Sequence, residues 1–189
     1  MEPGKAKLAN LLLEKSYFEG EFTLTSGRKS HYYFDCKPTA LDPAGAYWIG
    51  RTLFDHLHPQ VQGIGGMTLG ADPLVSSVCL VSYLQDRGLP GFIVRKTPKS
   101  HGTQQYLEGL INFQAGQKVA LLEDVVTTGG SVLRACQRVL DVGLQVVQIL
   151  CVLDREEGGG QNLLDHGYQL ESLFTRQALQ QYQKNAGKT

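Results

Sequence analysis

The sequence predicts an α/β fold: a central, mostly parallel sheet flanked by helices, with a small helix-plus-hairpin hood at the N-terminus. Three observations predict it. From Val61 onward, short apolar runs alternate with segments of helical period. The runs Lys118–Glu123 and Gln145–Leu153 are apolar on successive residues, as strands covered on both faces are. Residues 1–40 stand outside the alternation and are expected to form the hood.

Each element has a local reason. Leu8, Leu11 and Leu12 place an amphipathic helix in Lys5–Lys15. Glu21–Leu24 and His31–Asp35 flank the polar turn Thr25–Ser30, a hairpin signal with Gly27 in the turn. Asp42 and Pro43 are a cap and a first helical residue, and the apolar period then runs to about His58. Val61–Ile64 reads as a strand before a glycine-rich turn, and Ala71–Arg87 as a helix closed by Gly88. Gly91–Arg95 is a strand. Thr97–Gly109 has no apolar period and is expected to be a long, mobile catalytic loop. Gly130–Val142 is a helix, Glu156–Gln161 a flexible turn, and the chain ends in helix, strand (Tyr168–Leu173) and helix.

The chain has 189 residues, enough for a single domain with its own core and no disulfide or metal staple. Eighteen basic residues balance eighteen acidic ones, which gives no bulk attraction to nucleic acid or an anionic membrane. The four cysteines form no C-x-x-C pair and read as small core residues of a reducing compartment. The N-terminal apolar run is too short for a signal peptide, and no run approaches the ~18 apolar residues of a membrane span. A cytoplasmic protein is expected.

The segment Leu121–Ser131, LLEDVVTTGGS, carries the most chemistry. It is an apolar strand end, two carboxylates, then hydroxyls and glycines leading into a helix. Glycines let successive N–H groups converge, and the helix N-terminus adds partial positive charge, so the loop suits a monophosphate. Glu123 and Asp124 would repel a bare phosphate. They fit if sugar hydroxyls lie between, because carboxylates accept strong hydrogen bonds. Walker and dinucleotide glycine patterns are absent. A strand-to-helix turn with capping Thr and Ser and no ligand is the alternative for these residues. Likewise Arg95–Gly102, with three cations and a histidine, suits a polyanion or is a solvated loop. The aromatic run Tyr32–Phe34 suits a planar base or is strand core.

Taken in order, Phe22–Phe34, Gly65–Pro73, Arg95–Gly102, Glu123–Gly129 and Asp154-Arg155 resemble the motifs of the orotate phosphoribosyltransferases, of the type I phosphoribosyltransferase family. The resemblance runs from about residue 8 to residue 175. It implies transfer of the phosphoribosyl group of 5-phosphoribosyl 1-diphosphate to orotate in pyrimidine synthesis. It implies that Glu123 and Asp124 bind ribose hydroxyls, with Asp124 catalytic, and that Val125, Val126, Thr127, Thr128, Gly129, Gly130 and Ser131 wrap the 5′-phosphate. Arg95, Lys96, Lys99 and His101 are implied to meet the diphosphate, with Lys99 and His101 catalytic. Tyr33, Phe34, Thr127 and Arg155 are implied to contact orotate, Arg155 at its carboxylate. A Mg²⁺ on the substrate, rather than on protein ligands, and a homodimer whose catalytic loop is shared across the interface complete the expectation. Thr25 and Leu69 stand where some relatives carry lysine, and neither is assigned a role. A purine or uracil phosphoribosyltransferase, or a non-enzymatic regulator on the same fold, is the alternative. The first has no need of Arg155 and the second none of the loop cations.

Overall fold

The computed structural model describes residues 3–23, 29–98 and 106–186. The expected turn around Gly27 and the catalytic candidates Lys99 and His101 lie outside the described residues.

Helix α1 (Pro3–Lys15) leads into a two-stranded antiparallel sheet, β1 (Tyr17–Thr23) and β2 (Lys29–Phe34). A short helix, α2 (Lys37–Ala40), then reaches α3 (Pro43–Asp55). Asp42 caps α3 as its sequence predicts, its carboxylate accepting from the N–H groups of Ala44 and Gly45 at 3.0 Å. Such a cap contributes ~1 kcal/mol. The other oxygen of Asp42 meets Lys15 at 3.2 Å, which ties the hood to the helical layer.

The main sheet contains β3 (Gly63–Met67), β4 (Gly91–Val94), β5 (Leu107–Glu108), β6 (Lys118–Val126), β7 (Gln145–Asp154) and β8 (Leu170–Thr175). Their spatial order is β5-β4-β3-β6-β7-β8, parallel except for β5. Helix α4 (Asp72–Leu84) follows β3, α5 (Gly130–Asp141) follows β6, α6 (Gly159–Asp165) follows β7, and α7 (Arg176–Ala186) closes the chain. Alternate residues of the central strands feed two cores. Ala120, Leu122, Leu150 and Val152 pack with Leu8, Ile49, Leu53 and Val78 from α1, α3 and α4. Val119, Leu121, Ile149 and Cys151 pack with Val132, Cys136, Val139 and Leu163 from α5 and α6. This two-sided burial is why the strands are apolar on successive residues.

Several boundaries differ from expectation. The strand expected at Val61–Ile64 is β3, two residues later, and it runs through Gly65 and Gly66. Those glycines are there for close approach, not for a turn. A Cβ on Gly65 would lie 2.1 Å from the Phe92 ring, and one on Gly66 would lie 2.2 Å from the Leu122 carbonyl oxygen. The expected Thr97–Gly109 loop contains β5, held by backbone pairing to β4 that no side-chain period announces. β6 continues to Val126, paired with Asp154, so Val125 and Val126 belong to the strand. The expected flexible turn Glu156–Gln161 is half helical, because α6 begins at Gly159.

Candidate active site

β3 and β6 are neighbours, but the chain leaves β3 towards β4 and leaves β6 towards β7. This reversal opens a crevice beyond the carboxyl ends of the two strands, where ligands of open parallel sheets bind. The loop Thr68–Ala71 forms one wall and the segment after Val126 the other. Asp124 lies between them, so close to Gly70 that a Cβ there would be 2.4 Å from the Asp124 carboxylate.

Glu123 and Asp124 come from the last part of β6. Glu123 is buried, accepting from the Ser131 hydroxyl at 3.2 Å and from the Asp124 N–H at 3.3 Å. Burial, and secondarily the charge of Asp124, pushes its carboxyl up to about 8. Asp124 accepts from the Val125 N–H at 2.8 Å. Among the described residues, no group of three or more His, Cys, Asp or Glu side chains forms a metal cage.

Thr127 and Thr128 then carry the chain to Gly129, whose φ of 78° is a left-handed conformation suited to glycine. Helix α5 starts at Gly130 with no side-chain cap. The N–H groups of Gly130, Ser131 and Val132 therefore point out of its first turn, as the first donors of any helix do. α6 braces this loop from behind. The Asn162 amide donates to the Thr128 carbonyl at 2.6 Å, and a Cβ on Gly159 would meet the Thr127 carbonyl oxygen at 2.7 Å. Sequence reasoning missed both braces, which act through backbone atoms 34 and 32 residues away and leave no local pattern.

Arg155 follows β7, and its N–H donates to the Val126 carbonyl at 2.9 Å. Arg155 is therefore anchored by its backbone beside the segment that leads to Gly129. Arg155 is buried, its Nε donating to the Tyr32 hydroxyl at 2.9 Å and its guanidinium meeting Glu157 at 2.7 Å. Successive residues of β2 face opposite ways. Tyr32 and Phe34 share the inner face, where Phe34 is packed in the core. Tyr33 faces outward against Phe18 and Phe22. Of the run Tyr32–Phe34, Tyr32 is therefore the residue that the hairpin brings to Arg155, rather than Tyr33 or Phe34, which the resemblance implies.

At the end of β4, Arg95 pairs with Glu108 at 3.1 Å and Lys96 is exposed. Arg138 of α5 donates to the carbonyls of both Arg95 and Lys96, the second at 3.1 Å, and stacks on Tyr106 at 4.0 Å. This arginine, also missed, couples the segment of Arg95 and Lys96 to helix α5. Both of its backbone partners lie more than forty residues away along the chain, so no local pattern marks it.

The geometry agrees with comparison to known proteins. The Phosphoribosyl transferase domain matches residues 72–164. The chain is 42% identical over 183 residues to an orotate phosphoribosyltransferase of a Nostoc species, covering 97% of this chain and 88% of that protein. Among solved structures, the Mycobacterium tuberculosis H37Rv orotate phosphoribosyltransferase in complex with Fe(III) dicitrate superposes with a TM-score of 0.80 at 35% identity. The match covers 94% of this chain and 99% of that one. The same enzyme in complex with 5-phospho-α-D-ribosyl 1-diphosphate gives 0.75 at 31% identity, with the same coverage of 94% and 99%. The sheet order, the reversal at β3 and β6, and these likenesses together establish that the chain belongs to the orotate phosphoribosyltransferase family.

Proposed function

We infer that this chain transfers the phosphoribosyl group of 5-phosphoribosyl 1-diphosphate to orotate, yielding orotidine 5′-monophosphate and diphosphate. The observation that carries this reading is the position of Arg155. Its main-chain N–H is hydrogen-bonded to the Val126 carbonyl at the end of the strand that carries Glu123 and Asp124, and its guanidinium is buried beside Tyr32. A base bearing a carboxylate would use it, and a purine or uracil would not.

Breaking the anomeric C–O bond leaves positive charge on the sugar and negative charge on diphosphate. Catalysis therefore requires neutralising the leaving group and aligning the ring nitrogen of orotate, which is acidic enough to need no strong base. The N–H groups at the start of α5 hold the 5′-phosphate, while Glu123 and Asp124 accept from the ribose hydroxyls. Lys96, Lys99 and His101 meet the diphosphate, with Arg95 holding the base of that segment through Glu108. Arg155 grips the orotate carboxylate.

Glu123 and Asp124, adjacent at the end of β6, offer the hard oxygen atoms that would suit a Mg²⁺ carried largely on substrate oxygens. When bound, that ion would supply charge neutralisation at the diphosphate. The reading includes a homodimer in which the segment bearing Lys99 and His101 serves the partner's site. It also places the protein in the cytoplasm. All four cysteines are free thiols, and no described helix is long and apolar enough to cross a membrane. The test is spectrophotometric loss of orotate with the donor and Mg²⁺, with uracil and adenine as controls. Consumption of orotate alone is expected, and folded protein that leaves orotate untouched would overturn the reading.

A further inference from the structure

Arg155 does not wait empty for a substrate. Its Nε donates to the Tyr32 hydroxyl, and its Nη2 lies 2.7 Å from Oε1 of Glu157, two residues further along the chain. Both side chains of that ion pair are largely withdrawn from water, at 10% and 20% exposure. Water therefore screens the pair less than it would a surface pair. The turn that aims Glu157 is itself held in place. Glu156 adopts a φ of 59°, uncommon for a residue with a Cβ, and its carboxylate accepts from the Gln177 N–H at 2.9 Å, at the start of α7. Asp154 accepts from the Glu156 N–H at 2.8 Å. On the far side, Gly158 has a φ of 91° and nothing within 4 Å of where a Cβ would stand. One flank of Glu157 is fixed and the other is open.

A second guanidinium stands nearby. Arg176 lies 5.7 Å from the centre of the Tyr32 ring, Arg155 lies 5.0 Å from it, and the Nε of Arg176 is buried without a hydrogen-bond partner. The base side of the crevice thus holds two arginines beside one tyrosine, with a protein carboxylate already on the first.

We propose that Glu157 is an internal carboxylate which holds Arg155 ready in the free enzyme and is displaced by the substrate's carboxylate, so that it sets orotate affinity. This rests on the assignment of Arg155 to orotate made above. Substrate binding is then an exchange. One charge-assisted hydrogen bond to Arg155 is lost as another forms, and only the difference between them appears as affinity. Arg176 supplies the attraction that the neutralised Arg155 does not.

The exchange predicts a specific asymmetry. Orotidine 5′-monophosphate and uridine 5′-monophosphate share the sugar and phosphate and differ only in the carboxylate. In Glu157→Gln, the dissociation constant of orotidine 5′-monophosphate by calorimetry is expected to fall about fivefold, or ~1 kcal/mol. That of uridine 5′-monophosphate is expected to stay constant. The KM of orotate should fall in parallel, with the KM of the donor little changed. Glu157→Ala is expected to move the same way, so the result does not depend on one replacement. Unchanged or weaker binding of orotidine 5′-monophosphate in both variants would overturn the competition and make Glu157 a simple buttress of Arg155. If the wild-type protein bound the two nucleotides equally, the assignment of Arg155 would fall, and this proposal with it.

Discussion

Replacing Glu123 by glutamine isolates what it costs to bury this carboxyl beside Asp124. Burial, then the charge of Asp124, moves this carboxyl from 4.5 to about 8 in the folded protein. In the unfolded chain it titrates near its ordinary value of about 4.3. Well below that value both states are protonated, and the shift has no effect. As the pH rises, the unfolded chain releases a proton that the native state keeps. Native stability then falls by ~1.4 kcal/mol per pH unit until the folded group ionises near 8. At pH 7 the deficit is on the order of 3 kcal/mol. Glutamine is neutral, similar in size, and still able to accept from Ser131. Glu123→Gln is therefore expected to match the wild type well below about pH 4.3, to be ~3 kcal/mol more stable at pH 7, and to gain nothing further above about pH 8. Urea unfolding of both proteins across that range, followed through the single tryptophan, Trp48, measures the difference. A difference independent of pH would refute the reasoning. Above about pH 8, where Glu123 of the wild type is ionised, the same variant should also bind the phosphoribosyl donor less well, because a carboxylate accepts more strongly than an amide.

Three further outcomes are expected. Arg155→Ala should raise the KM of orotate roughly tenfold to a hundredfold, matching the ~1.5–3 kcal/mol of a hydrogen bond to a charged group, with the donor KM little changed. Lost donor binding with normal orotate binding would contradict the assignment. Lys99→Ala should lower kcat by on the order of a hundredfold and donor affinity far less, since leaving-group charge develops in the transition state. Steady-state kinetics with varied donor decides this, and a variant that loses affinity at full kcat counts against it. Gly159→Ala places a methyl 2.7 Å from the Thr127 carbonyl oxygen and 2.5 Å from the Val126 side chain. It should cost ~1–3 kcal/mol of stability and weaken donor binding together, as thermal melts with and without donor would show. A normal melt with normal donor affinity would mean that α6 does not brace the loop.

Whatever depends on neighbours along the chain is legible in the sequence. The alternation of apolar runs and helical periods follows from burying the central strands on both faces. The Asp42 cap, the glycines before α5, and the pairing of carboxylates with a phosphate loop are all local chemistry. The ordered motifs carried the family. Tertiary structure alone decided what depends on residues far apart. Gly65 and Gly66 lie within a strand because Phe92 and Leu122 crowd them, although glycines in sequence read as a turn. The two-residue period of β2 made Tyr32 the partner of Arg155, yet which face of the hairpin turns inward is set by packing against the rest of the molecule. Arg138, Asn162 and Gly159 support the site through backbone atoms of distant segments, and a carbonyl acceptor has no signature in the sequence. Glu157 looked like one charge in a polar turn. Only the fold, by burying it against Arg155, gave that charge a partner whose occupancy bears on substrate binding.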